Sequence, residues 1–211
     1  MTWWVWGLTY LKYKDCFPAS LDTCSMPHLP VVIVLAAGRG ERFAASGGAV
    51  HKLQAMLAGR RVIDHVLHAV KASGLPHYVV EADASRPGMG DSIAAGVKAT
   101  PDANGWLILP ADLPLVRSET LLAIAHAPLI AVTVPMFEGQ RGHPVRFAAS
   151  CGPELLNLKG NSGAAQVIRL YAAINSVAYV EVDDCGVVTD IDTLDDLTRA
   201  EALLAQRLSG R

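Results

Sequence analysis

Residues Val31 to Leu53 read VVIVLAAGRGERFAASGGAVHKL, and how this stretch is parsed decides the fold. Val31 to Leu35 are apolar and mostly β-branched, the composition of a buried parallel strand. A glycine-rich, basic segment follows at once. Gly38 and Gly40 let the main chain approach an anion closely, and peptide N–H groups can converge on its oxygens. Arg39, Arg42 and Lys52 can supply compensating charge. This layout predicts a phosphate site whose ligand is a nucleotide; the alternative is a glycine-rich strand-to-helix turn that binds nothing.

Two familiar phosphate motifs are excluded. Lys52 stands between His51 and Leu53, outside any Gly-Lys-Ser/Thr, and Gly38-Arg39-Gly40 runs on to Phe43, where the dinucleotide fingerprint needs glycine. The stretch instead resembles a signature of the nucleotidyltransferase superfamily that includes the molybdenum cofactor cytidylyl- and guanylyltransferases. That signature runs L-A-x-G-x-G-x-R and then, after a variable gap, Lys and Leu; it is matched at Leu35, Ala36, Gly38, Gly40, Arg42, Lys52 and Leu53. The resemblance implies a MobA-like NTP transferase domain. In such a domain Leu35, Ala36, Ala37, Gly38, Arg39, Gly40 and Lys52 would contact nucleotide, with Arg42 and Lys52 among the catalytic groups.

The chain has 211 residues, 51% of them hydrophobic, so it can bury a sizeable core as one domain. With 18 Lys+Arg against 20 Asp+Glu, charge is nearly balanced, which argues against nucleic acid as a partner. No apolar run approaches the roughly 20 residues that cross a bilayer, so no membrane role is expected. Cys16, Cys24, Cys151 and Cys185 are scattered without C-x-x-C or zinc-like spacing and read as reduced thiols of a cytoplasmic protein. Residues 1–25 differ from the rest: Trp3, Trp4 and Trp6 cluster there without periodicity, and the order of charges does not suit a signal peptide. They read as an extension from an upstream start or a docking tail, with residues 26–211 as the transferase domain.

Further along, Val62, Ile63, Val66, Leu67 and Val70 form one helical stripe ending at Gly74, and Tyr78 to Glu81 read as a strand. That completes a βαβ unit. A helix opened by Asp91 or Ser92 is expected next, its N-terminal N–H groups facing the crevice at the strand ends. The run Gly88-Met89-Gly90-Asp91-Ser92-Ile93 resembles the family's G-M-x-x-S-[LI] element, which implies that Gly88 and Ser92 lie near base and ribose; a plain loop and helix cap is the alternative. Trp106 to Leu109 form a buried strand leading into Pro110-Ala111-Asp112-Leu113-Pro114. Asp112, held at a strand end between stiffening prolines, is placed to hold Mg²⁺ against phosphate oxygens, and the family's [AC]-D-x-P element implies the same; an aspartate capping a turn is the alternative. A helix from Ser118 to about Ala125 and a strand over 129–134 follow.

The segment Pro135 to Phe147 reads PMFEGQRGHPVRF. Its Arg141-Gly142-His143-Pro144 resembles the cytidylyltransferase branch, implying that Arg141 and His143 receive the acceptor; a hairpin with incidental side chains is the alternative. The run Lys159 to Ala165 resembles the family's G-D-x-G-A-R element with Asn161 in place of the acid, which leaves its role open. After a strand over 177–182, Thr193 and Asp196 form a capping box for a final helix. Asp190-Ile191-Asp192-Thr193 resembles the family's closing element, implying Asp192 as second metal ligand with Asp190 as its support; the alternative is that both decorate a helix N-terminus.

The alternation of strands and helices predicts a three-layer α/β/α sandwich with a Rossmann-like, mostly parallel sheet, the nucleotide-diphospho-sugar transferase type. The resemblance implies an Mg²⁺-dependent enzyme that moves CMP from CTP to a molybdopterin-type acceptor, serving a molybdoenzyme or its chaperone. Ala37, where guanylyl enzymes tend to carry glycine, favours CTP. GTP-dependent transfer, a sugar-phosphate acceptor and a non-catalytic nucleotide-binding protein remain the alternatives. The segment from Phe43 to His51 is expected to form a flexible lid.

Overall fold

The computed structural model describes residues 10–12, 29–83, 85, 88–128 and 130–209. Its strands are β1 (Tyr10–Lys12), β2 (Val31–Ala36), β3 (Met56–Leu57), β4 (Arg60–Arg61), β5 (His77–Glu81), β6 (Trp106–Pro110), β7 (Val132–Phe137), β8 (Gln140–Arg141), β9 (Val145–Phe147) and β10 (Val177–Glu181). Its helices are α1 (Glu41–Ala45), α2 (Val62–Ser73), α3 (Met89–Ala99), α4 (Ser118–Ala125), α5 (Gly152–Leu156), α6 (Ala165–Ala172) and α7 (Leu194–Ser209). The central sheet runs β1-β10-β7-β9-β6-β2-β5, with β8 hairpinned onto β7, and β3 and β4 form a small separate ribbon. The rest of 1–25 lies outside the described residues.

Alternation along the strands builds two cores. Val32 and Val34 of β2 face a cluster with Val62, Val66 and Val70 of α2, Leu121 and Ile124 of α4 and Ala200 of α7. Ile33 and Leu35 face the opposite cluster, with Ile93 and Val97 of α3, Leu155 of α5 and Val167 of α6. A strand apolar on both faces is what two helical layers require. The three-layer α/β/α sandwich is therefore present. Two strands depart from the parallel pattern: β8 pairs antiparallel with β7 as its hairpin partner, and β9, the chain having been turned back by that hairpin, pairs antiparallel with both β6 and β7 in mid-sheet.

Strand β2 pairs in parallel with β5 on one side and β6 on the other. The helices that follow β2 and β5 pack on opposite faces, so chain direction across the sheet reverses between β2 and β6. A crevice opens outside the carboxyl ends of strands at such a reversal.

Two element starts differ from expectation. Helix α3 begins at Met89 with Gly88 as N-cap, and Asp91 acts from the third helical position, accepting from Gly88 N at 3.2 Å. The strand expected over 129–134 begins only at Val132: Ile130 N–H is taken by Pro128 O, so pairing starts where Ser176 O and β10 become available.

Candidate functional site

Strand β2 ends at Ala36 and delivers residues 37–40 into the crevice; β6 ends at Pro110 and delivers Asp112. Gly40 sits at φ +66°, and a Cβ there would lie 3.2 Å from the His51 ring, so the tight turn into α1 needs glycine. His51 holds the loop from the other side. Its Nε2 donates to Gly38 O at 2.8 Å while its Nδ1 accepts from Leu53 N at 3.3 Å, which selects the Nε2-protonated tautomer. No pattern in the sequence announces this contact, because its partners are main-chain atoms.

Lys52 follows within a short 3₁₀ turn and is 92% buried as a residue by its 8% exposure. Its ammonium donates to Asp112 Oδ2 and to Asp192 Oδ1, each at 2.7 Å, and Arg42 Nη1 donates to Asp192 Oδ2 at 2.5 Å. Burial alone would lower the pKa of Lys52, but Asp112 and then Asp192 outweigh it and hold it above the ordinary lysine value. Burial works the other way on Asp192, where Lys52 and Arg42 prevail and hold the carboxyl below its ordinary value. Asp112 Oδ1 is buried without a hydrogen-bond partner.

The turn that carries Asp192 is fastened at both ends. Ile191 N donates to Asp112 O at 2.9 Å, and the Thr193–Asp196 capping box forms, with Asp196 Oδ2 accepting from Thr193 N at 2.9 Å and Asp192 N at 3.2 Å. Support for Asp192 thus comes from Asp196. Asp190 instead feels its charge: burial first, then the carboxylates of Asp112, Asp192 and Asp196, push the pKa of Asp190 up.

These groups line one cavity of about 560 Å³. Leu35, Ala37, Gly38, Arg39, Gly40, Arg42, Lys52, Gly88, Ser92, Asp112 and Asp192, all singled out from the sequence, lie on its wall. Ala36 does not. It packs against the core beneath the loop, because alternation along β2 turns its side chain to the helical layer.

Arg141 and His143 are not on that wall, so the structure does not bring them together with the groups that line it. Arg141 is on the sheet's hairpin, its guanidinium 5.1 Å from the ring centre of Tyr179. His143 turns inward: its N–H donates to Val187 O, its Nδ1 is buried without a partner, and burial lowers its pKa against the pull of Ile108, Asp112 and Asp190. Arg141 is held in β8 opposite Met136, whereas His143 lies beyond the end of that strand, tied through its N–H to Val187 O.

Two further findings concern loops. Phe43 is 1% exposed and Ser46 Oγ accepts from Leu194 N at 3.1 Å, so the segment expected to be a free lid is anchored at its start in the core and against α7. The loop containing Gly160 and Asn161 forms the far wall of the cavity with Met89. Asp91 clips it in place, its Oδ2 accepting from Gly160 N at 3.0 Å, while Gly90 N donates to Gly160 O at 2.8 Å. A Cβ on Gly88 would lie 2.0 Å from the Gly160 carbonyl, so close contact explains that glycine. One N–H expected to face a ligand, that of Gly90, is consequently used by this loop.

Among the described residues, no cluster of three or more His, Cys, Asp or Glu is arranged to hold a metal, and no helix is long and apolar enough to cross a membrane. Two carboxylates, one with an unpartnered buried oxygen, are an all-oxygen donor set that fits a hard divalent cation completed by phosphate and water.

Comparison with known proteins gives concordant findings. The family model described as the MobA-like NTP transferase domain matches residues 32–182. The purine catabolism protein PucB of Bacillus subtilis is 28% identical over 193 residues, covering 79% of this chain and 93% of that one. A nucleotidyl transferase from Methanothermobacter superposes with a TM-score of 0.72 at 21% identity, covering 86% of this chain and all (100%) of the other. The manganese complex of Rv0371c from Mycobacterium tuberculosis superposes with a TM-score of 0.63 at 23% identity, covering 82% of this chain and 98% of that one.

Proposed function

From the premise that this chain belongs to the family of MobA-like NTP transferase domains, we propose that it moves a nucleoside monophosphate from a nucleoside triphosphate to a phosphate-bearing acceptor. The observation that carries the reading is the convergence of the Gly38–Gly40 loop, Lys52, Asp112 and Asp192 on one cavity. Its volume of about 560 Å³ suits a nucleotide-sized ligand.

In the proposed reaction an acceptor phosphate oxygen attacks the α-phosphorus. A new P–O bond forms, the bond from the α-phosphorus to the bridging oxygen breaks, and pyrophosphate leaves with that electron pair. A phosphate monoester is already ionised near neutral pH, so the site needs cations and oriented N–H donors more than a strong base. The backbone at Gly38, Arg39 and Gly40 binds phosphate oxygens, Arg42 and Lys52 neutralise charge that builds on them, and Gly88 and Ser92 border the base and ribose. Asp112 and Asp192 are the residues that would hold Mg²⁺, which when bound supplies charge neutralisation at the reacting phosphates; the manganese complex of the mycobacterial relative supports a divalent site.

CTP as donor and a molybdopterin-type acceptor are favoured by Ala37, which lines the cavity. A GTP-dependent or sugar-phosphate transfer is the second reading. It is favoured by Leu113, where cytidylyl members usually show Gln, and by the position of Arg141 off the cavity wall. An acceptor role for His143 rests on the likeness of Arg141-Gly142-His143-Pro144 to the cytidylyltransferase branch. Incubation with each of the four nucleoside triphosphates, Mg²⁺ and either molybdopterin or a sugar phosphate, with pyrophosphate release as readout, tests the proposal. Release with CTP and molybdopterin is the expected result; preference for GTP moves the assignment to the second reading. No release with any pair leaves a nucleotide-binding protein and overturns the proposal.

A further inference from the structure

We propose that Lys52 and Arg42 are the resident counter-ions of the Asp112–Asp192 pair, and that they exchange from these carboxylates to the nucleotide's phosphates when a divalent cation occupies the pair. This rests on the nucleotidyl-transfer reading and adds a coupling to it: the cation and the triphosphate each make room for the other.

Three of the four carboxylate oxygens are taken. Lys52 Nζ lies 2.7 Å from Asp112 Oδ2 and 2.7 Å from Asp192 Oδ1, and Arg42 Nη1 lies 2.5 Å from Asp192 Oδ2. The fourth, Asp112 Oδ1, is buried and unpartnered. Two carboxylates are already balanced by one ammonium and one guanidinium, so an incoming cation competes with both of them for the same oxygens. A divalent ion placed there without other change meets the full repulsion of a nearly buried ammonium at close range, where screening is weak.

The geometry relieves this conflict in one direction. Lys52 sits on the wall of the cavity that also carries Gly38, Arg39 and Gly40, so its ammonium has phosphate positions to turn to. The Arg42 side chain is 80% exposed and free to follow. Once both have moved, the cation faces two unshared carboxylates, and the displaced cations face the triphosphate whose negative charge balances them. Because coupling between two ligands is reciprocal, nucleotide must tighten cation binding by the factor with which the cation tightens nucleotide.

The prediction inverts the usual effect of removing a charged side chain from a site. Mn²⁺ is titrated into the full-length, nucleotide-free protein and free Mn²⁺ is read by electron paramagnetic resonance, for wild type, Lys52→Met, Arg42→Met and Asp112→Asn. Lys52→Met is expected to bind Mn²⁺ about tenfold tighter than wild type or better, since a competing charge is gone. Arg42→Met, an exposed position that does not threaten folding, is expected to shift affinity the same way by less. Mn²⁺ is also expected to raise the melting temperature of Lys52→Met more than that of wild type, since it neutralises carboxylates that have lost the ammonium between them. If Lys52→Met and Arg42→Met bind no tighter than wild type while Asp112→Asn loses binding, the exchange is overturned and the two-carboxylate site stands. If neither wild type nor either charge-removal variant binds Mn²⁺, the metal site itself is overturned and the exchange with it.

Discussion

Ile191 donates its backbone N–H to the carbonyl oxygen of Asp112 at 2.9 Å, tying the loop after β6 to the turn before α7. The two carboxylates that share Lys52 are therefore held by main chain as well as by charge. The same two segments meet again at Gly186, where a Cβ would lie 2.2 Å from Leu115 O. Gly186→Ala must push them apart. It is expected to destabilise the protein by about 2 kcal/mol or more, read from urea unfolding, because the obstacle is backbone and cannot yield as a flexible side chain would.

Asp112→Ala is expected to abolish metal-dependent pyrophosphate release, a loss of about a hundredfold or more, while the far-UV dichroism stays that of wild type. The variant removes one of the two carboxylates that pair with Lys52 and the one with an unpartnered buried oxygen. A rate within a few-fold of wild type, measured by a coupled pyrophosphate assay, contradicts its assignment as ligand.

Asp91→Ala removes the acceptor shared by Gly88 N and Gly160 N. Leaving two main-chain donors to find new partners is expected to cost about 1–3 kcal/mol. Because the freed loop forms the cavity's far wall, nucleotide affinity should fall as well, by about tenfold. Equilibrium binding of nucleotide at a temperature where the variant remains folded separates this loss from instability.

His143 gives stability a slope with pH. Burial holds its folded pKa below the ordinary 6.5, so on acidification the unfolded chain takes up a proton that the native protein refuses. Its contribution is complete above pH 6.5 and is lost as pH falls from there toward the folded value. His143→Gln is expected to flatten the fall in urea midpoint between about pH 7 and pH 5 relative to wild type. Parallel curves for the two proteins over that range contradict a buried neutral imidazole.

The capping box at Thr193 and Asp196, the stripe of α2, the bounds of α4 and the strand cores of β2 and β6 were all legible in sequence. Each is a local matter: a side chain reaching its own helix turn, or an apolar period of 3.6 or 2 residues. The separation of Arg141 from His143 was not legible, although they are near neighbours in the chain, because each is fixed by a distant segment: Arg141 by its pairing with Met136 and its stacking on Tyr179, His143 by Val187 O. The role of Asp91 was equally hidden: its spacing suits a helix start, but the loop it clips comes from a distant part of the chain.

The opening stretch determined the most by itself. A β-branched apolar run followed by Gly38 and Gly40 dictates a buried strand breaking into a loop that admits close backbone approach, and this needs no knowledge of the remaining chain. Only the tertiary structure decided what Lys52 does beside the two carboxylates. Sequence shows a cation near a phosphate loop; the folded chain places that ammonium between Asp112 and Asp192 and excludes most of the water around it. Charge interactions depend on distance and on the surrounding dielectric, and both are set by packing between segments far apart in the chain.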